Sequence, residues 1–263
     1  MKPAKPFFEQ RRERRGLLRV GLAAAATSAL AGCDALSHND TAVEVLRTAE
    51  SLNNELHRII GRRAMAQEFA PADVAPVFRA NGTTRPEGDD YAAMVANGFA
   101  DWRFKVDGLV EQPLEFSLAQ LREMPSRTQI TRHDCVEGWS CIGQWKGVRL
   151  SHVLGLAKVK PQAKFVVFHC LDQMDADDEE TMYYESVDLD DAFHEQTILS
   201  WELNGRPLPV ENGAPLRARI ERQLGYKQPK YLYRVELVES FAAFRGGRGG
   251  YWEDQGYNWY GGI

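Results

Sequence analysis

From Trp102 onward the apolar residues fall in short runs separated by turn signals, and this texture limits the fold more than any other feature. Phe104, Val106 and the pair Leu109-Val110 alternate or cluster as strand residues do, with Asp107-Gly108 as a hairpin turn signal. Residues 164–170 read as a buried strand, and residues 197–203 as another that ends at the turn signal Asn204-Gly205. Tyr231, Tyr233, Val235 and Leu237 alternate with polar residues, as in a half-buried strand. Helical pieces are short: Ser117 to Glu123, capped by Ser117 and stopped by Pro125, then about 151–157 and 188–194. There is no internal repeat and no regular strand–helix–strand alternation. The expected class is therefore α+β, a mixed sheet with irregular loops.

A chain of 263 residues suffices for one large domain or two small ones, and 44% hydrophobic with 26% charged is an ordinary globular composition. That excludes a disordered chain, a collagen and a small disulfide scaffold. The net charge of −5 is unevenly spread. Residues 1–32 hold seven Lys/Arg against two Asp/Glu, whereas the other 231 residues hold 25 basic and 35 acidic groups. A body with such an acidic surplus repels a polyanion, so no nucleic-acid partner is expected.

The basic N-terminus reads as an address. A basic block is followed by a short apolar run, Leu17 to Leu30, interrupted by Arg19. The run is too short and too rich in alanine for a membrane span of about 20 apolar residues. It fits the basic and apolar regions of a bacterial export signal. Arg14-Arg15-Gly16-Leu17-Leu18-Arg19 resembles a twin-arginine signal, with Leu where Phe is common; a plain secretory signal is the alternative. Leu30-Ala31-Gly32-Cys33 resembles the lipobox of bacterial lipoproteins, in which the Cys becomes the lipidated first residue; ordinary cleavage nearby is the alternative. The expected location is the periplasm or cell-envelope face of a bacterial membrane, lipid-anchored after twin-arginine export.

Residues 1–32 are thus assigned to the signal and 33–75 to an N-terminal helical segment, because Val45, Leu46, Leu52, Leu56, Ile59 and Ile60 recur at helical spacing within 41–69. Residues 76–245 form the main domain. Residues 246–263 are a Gly/aromatic tail whose five aromatic side chains predict packing on the body, with a place near the site mouth open.

Beyond Cys33 the cysteines are Cys135, Cys141 and Cys170. No Cys-x-x-Cys pair exists, which weakens a structural zinc reading. Cys135 has His133 and Asp134 beside it, yet neighbours on a strand seldom face one another, so a Cys–His nucleophile is a weak reading. A thiolate that ligates a metal already bound by sulfur is the better use.

The segment Arg132-His133-Asp134-Cys135-Val136-Glu137-Gly138-Trp139-Ser140 resembles the molybdenum-ligating segment of the sulfite oxidase superfamily, in the branch with the periplasmic protein-methionine-sulfoxide reductase catalytic subunit. Asn204-Gly205-Arg206-Pro207-Leu208-Pro209 with Asn212-Gly213-Ala214-Pro215-Leu216-Arg217 is similar to a second signature, and Gly225-Tyr226-Lys227-Gln228-Pro229-Lys230-Tyr231 to a third. The likeness covers roughly residues 78–240.

The resemblance implies a sulfite-oxidase-type molybdopterin-binding domain with one Mo-molybdopterin per chain, in which Cys135 is both metal ligand and catalytic residue. It places Asn212 and Arg217 on the cofactor, with Lys230 and the backbone at Gln228 and Pro229 at its phosphate end. Asn81, Thr84 and Arg85 fall, more loosely, where the family has a cofactor-binding loop. Cys170 stands where the branch has a cofactor-contacting Thr, so contact there is in doubt. Arg132, His133 and Trp139 lie near Cys135 without an assigned role. No haem-attachment motif is present, so any haem belongs to a partner.

The implied activity is oxo transfer on a small-molecule or protein sulfoxide or a sulfite-like substrate, with electrons exchanged with a cytochrome or quinone-linked membrane partner. The alternatives are a metal-free binding or adaptor lipoprotein on the same fold and a Cys135 hydrolase.

Overall fold

The computed structural model describes residues 39–61, 63–175 and 181–263; the segment expected to be an export signal and Cys33 lie outside them. The chain divides into two compact units, 1–61 and 62–263. In the first, helix α1 spans Asp40–Gly61, and its Val45, Leu52, Leu56 and Ile59 are exposed on one stripe. No described helix is long and apolar enough to cross a membrane. The helical segment expected over 41–69 stops at Gly61. Phe69 instead donates its backbone N–H to the Ile130 carbonyl at 2.9 Å, and Glu68 bridges Thr131.

The second unit contains two five-stranded sheets. The first has the order β2-β1-β10-β5-β6, from β1 (Arg103–Gly108), β2 (Leu114–Ser117), β5 (Phe165–Gln173), β6 (Met182–Asp188) and β10 (Leu232–Val238). Strands β1 and β10 pair in parallel and the other neighbours are antiparallel. Alternation sends Phe104, Val106, Val166, Phe168, Val235 and Leu237 into one apolar core. Val153 and Leu154 of a helix at Leu150–Ala157 enter the same core. The helix at Leu118–Glu123 starts with a reciprocal cap between Ser117 and Gln120.

The second sheet runs β3-β4-β7-β8, with β9 also on β7; its strands are β3 (Ser126–Asp134), β4 (Ser140–Arg149), β7 (Ile198–Leu203), β8 (Arg206–Pro207) and β9 (Arg217–Arg219). Its interior is unusual in composition. The buried positions of β3 are Gln129, Thr131 and His133, and those of β9 include Arg217 and Arg219. The Trp145 ring lies under both guanidinium groups, 5.0 Å from that of Arg217 and 4.4 Å from that of Arg219. Arg219 is neutralised by a two-pronged contact with Glu221. The Asp107-Gly108 signal ends β1, with Gly108 at φ +80°, and the connection to β2 follows it.

Candidate active site

Strand parity aims β3 at a cleft. Its buried residues are the odd-numbered Gln129, Thr131 and His133, and Cys135 continues that parity just beyond the strand end. A tight turn then carries the chain into β4. The Gly138 N–H donates to the Cys135 carbonyl at 3.0 Å, and the Cys135 N–H donates to that of Trp139 at 2.9 Å. Gly138 supplies the left-handed conformation this needs, at φ +84°.

Cys135 is half-buried, Cys141 and Cys170 are buried, and all three are free of disulfides. Burial pushes the Cys135 thiol above the ordinary value, opposed by backbone donors at Glu137 and Val136. Those two N–H groups favour a thiolate, the form that binds metal. Among the described residues no histidine is hydrogen-bonded to Cys135. His133 is fully buried, accepts a hydrogen bond at Nδ1 from Arg219 (3.0 Å) and abuts Gly225. Burial and the neighbouring arginines hold its ring neutral.

Cys135 opens on a cleft of about 160 Å³, which Val136 and Glu137 of the same turn also line. The loop at Asn81, Gly82 and Thr83 forms one part of the lining, and Asp172 near the end of β5 with Met174 just after it forms another. The 225–230 turn contributes Gly225, Tyr226, Gln228, Pro229 and Lys230. Trp252 and Tyr257 of the tail complete it with Tyr183 of β6.

Lys230 ties these parts together. Its ammonium donates to the backbone carbonyls of Asn81 (2.6 Å), Thr83 and Glu211 (3.3 Å), while the Tyr231 hydroxyl donates to the Thr83 carbonyl at 3.0 Å. Burial and Arg217 push Lys230 down, with Asp172 opposing; burial pushes Asp172 up, with Lys230 opposing.

The other expected site residues are placed unevenly. Asn212 and Arg217 sit one layer behind the lining, where Arg217 donates to the carbonyls of Asn212 (3.0 Å) and Gln228 (3.3 Å). Gln228 and Pro229 line the cleft with their backbones engaged: the Gln228 N–H bonds Gly225, and the Pro229 carbonyl accepts from Ala218. On the 81–85 loop, Thr83 faces the cleft, while Thr84 and Arg85 are exposed and outside its lining. Cys170 is packed in the apolar core of the first sheet, with its thiol pushed well up by burial, and it does not line the cleft. Arg132, paired with Asp134, and Trp139, whose indole donates to Glu137 at 2.8 Å, also stand outside.

Sequence reading missed Thr83, Asp172, Met174, Tyr183 and Tyr226, and left the tail's part open. Asp172 had a signal: it shares the inward parity of Val166, Phe168 and Cys170 on β5.

The residues fit an anionic, hydrogen-bonding cofactor. Asn81 Oδ1, Asp172 Oδ1, Asn212 Nδ2 and Arg217 Nε are buried without a protein partner. Arg217, at 0% exposure, has no carboxylate hydrogen-bonded to it among the described residues, so a buried cation there lacks a direct counter-ion. Its charge persists although burial and Arg219 lower its pKa to about 9. No group of three or more His, Cys, Asp or Glu able to hold a metal alone occurs among the described residues. A metal here would need ligands from elsewhere, as a pterin dithiolene provides.

Comparison with known proteins agrees. The profile of the oxidoreductase molybdopterin binding domain matches residues 92–243, more than half of the chain, and the chain belongs to that family. Its class is molybdopterin-dependent oxidoreductase.

Among its relatives, the putative protein-methionine-sulfoxide reductase subunit YedZ1 of Azospira oryzae is 36% identical over 255 residues, covering 95% of this chain and 87% of the relative. The protein-methionine-sulfoxide reductase catalytic subunit MsrP of Xanthomonas axonopodis is 37% identical over 145 residues, 52% of this chain and 45% of that one. That of Campylobacter jejuni is 30% identical over 147 residues, 53% and 50% of the two chains, so the match spans about half of each MsrP. A solved structure, the sulfane dehydrogenase SoxCD from Paracoccus pantotrophus, aligns with a TM-score of 0.47 at 24% identity over 54% of this chain and 39% of its own.

Proposed function

We propose that the chain is the catalytic subunit of an exported sulfoxide reductase, with Cys135 as the protein ligand to the molybdenum of one bound molybdopterin. One observation carries the reading: a half-buried thiol facing two backbone N–H groups opens on a cleft backed by a buried cation, and among the described residues the thiol has no histidine base and the cation no hydrogen-bonded counter-ion. The sulfoxide substrate rests on the names of the relatives.

The bound molybdenum dithiolene would supply two-electron oxo exchange. The chain supplies placement and electrostatics. Cys135 holds the metal, Asn212 and Arg217 bias the site toward an anion, and Lys230 fixes the 81–83 loop against the 228–230 turn. Asn81 and Asp172 offer unpaired acceptors to cofactor N–H groups. Reduction of a sulfoxide to a thioether consumes two electrons and two protons and releases water. The electrons would come one at a time from a cytochrome or quinone-linked partner that carries any haem. The signal in 1–32 and lipidation at Cys33 would hold the enzyme beside that partner on the outer face of the membrane.

The test is molybdenum analysis of protein purified from its native exporter, beside Cys135→Ser. About one metal per chain, lost together with activity in the variant, is the expected result. Metal-free folded protein would leave a binding module as the reading. Full metal and turnover in the variant would remove Cys135 as ligand.

A further inference from the structure

Residues 246–263 lie beyond the family match, which ends at 243, and yet they build part of the cleft. They are fastened there at many points. Glu253, on the short helix Tyr251–Asp254, is fully buried and shares the Lys227 ammonium with Glu185. Asp254 accepts from the Tyr184 hydroxyl, and Ser186 accepts from the Trp259 indole at 2.9 Å. The Tyr226 hydroxyl donates to the Asn258 carbonyl at 2.7 Å, and the Gly261 N–H donates to Gln223 at 3.1 Å. The tail is thus a fixed wall.

That wall brings aromatic rings to the cleft. Tyr257 stands edge-on to Tyr226 with centroids 5.3 Å apart, and Trp252 lies 5.3 Å from Tyr257 on its other contact. Among the described residues Lys230 alone brings a basic side chain to the lining, and its ammonium already faces three carbonyls, while Glu137 and Asp172 are acidic. With Arg217 assigned to the cofactor and Lys230 turned to carbonyls, a dianion such as sulfite reaching the rings of the tail would shed its hydration with no unengaged cation to replace the water. A neutral alkyl sulfoxide loses far less, and its alkyl arm and sulfur pack well on aromatic rings.

We propose that Trp252, Tyr257 and Tyr226 are specificity-determining residues that select a neutral alkyl sulfoxide, such as oxidised methionine, over sulfite. The inference rests on the sulfoxide-reductase reading and assigns its substrate face to a segment outside the family match.

The experiment uses the full, cofactor-loaded protein with a reduced dye as electron donor. N-acetylmethionine sulfoxide and dimethyl sulfoxide are the probes, and sulfite oxidation is run in parallel with an oxidised acceptor. Trp252→Ala and Tyr257→Ala should raise KM for the methionine compound about tenfold or more, at unchanged molybdenum content. Trp252→Phe should recover most of that loss, and dimethyl sulfoxide, which has no long arm, should shift much less. Wild-type KM in the alanine variants overturns the inference and leaves the reductase reading standing. So does loss of molybdenum without a KM change, which would make the tail a cofactor cover. A wild-type enzyme that turns over no sulfoxide overturns both.

Discussion

Lys227 is enclosed by Glu185 and Glu253, and solvent reaches none of the three side chains appreciably. Two carboxylates against one ammonium leave an excess negative charge in a dry interior, which is costly unless a proton is retained. Glu185 is accordingly pushed well above the usual carboxylate range by burial and by Glu253, with Lys227 opposing. A folded pKa above the unfolded one gives stability that is full below about pH 4.5 and lost as pH rises through the folded value. Glu185→Gln mimics the protonated form. The variant should therefore gain in stability on wild type as pH rises from 5 to 8. Denaturant titrations of both proteins at the two pH values measure it; parallel curves would mean that no proton is held. Gly225 gives a second residue-level case. A Cβ there would stand 2.5 Å from His133 Nε2, and the ring cannot retreat because it is buried and held by Arg219. Gly225→Ala should cost about 1–3 kcal/mol and lower molybdenum content by displacing the turn that carries Tyr226 to Lys230. A fully stable, fully loaded variant would show that the turn adapts.

At the scale of elements, helix Asp89–Ala96 is tied to the 212–217 segment by a hydrogen bond from the Tyr91 hydroxyl to the Ala214 carbonyl at 2.6 Å. Tyr91→Phe keeps the packing and leaves that buried carbonyl short of a donor, so a loss of about 1–2 kcal/mol is expected. Thermal melts alone suffice, and a loss near zero would mean that water replaces the hydroxyl. Strands β5, β7 and β10 were legible because apolar runs and alternation mark them, and Ser117 was legible as a cap. Strands β3 and β4 were not read from hydrophobic pattern. The inward face of β3 is Gln129, Thr131 and His133, which reads as surface until Arg219 and Glu221 arrive from some ninety residues away to pair with them. The same reason divides the site. Cys135 and the 228–230 segment were marked by motifs, but Thr83, Asp172 and Trp252 meet only through tertiary closure. Helix α1 ends at Gly61, short of the 69 expected, and the segment after it pairs with β3 at Glu68 instead.

On the scale of the whole molecule, address and catalysis are separable. The core, the cleft and every residue proposed to hold cofactor lie in the unit 62–263, whereas the proposed anchor is Cys33. Helix α1 between them is 22 residues long, or about 33 Å. If the anchor serves only to raise the enzyme's concentration beside its electron partner, Cys33→Ala should move the protein from the membrane fraction to the soluble periplasm. Molybdenum content, melting temperature and dye-driven turnover should stay as in wild type, because no group of the cleft is touched. Turnover driven by the native membrane donor should fall steeply, since an encounter confined to a surface becomes one in solution. Fractionation and the two assays, run on one pair of preparations, separate the alternatives. A variant that still sediments with membranes would place the attachment elsewhere. One that loses dye-driven turnover would mean that the N-terminal region takes part in the site rather than only delivering it.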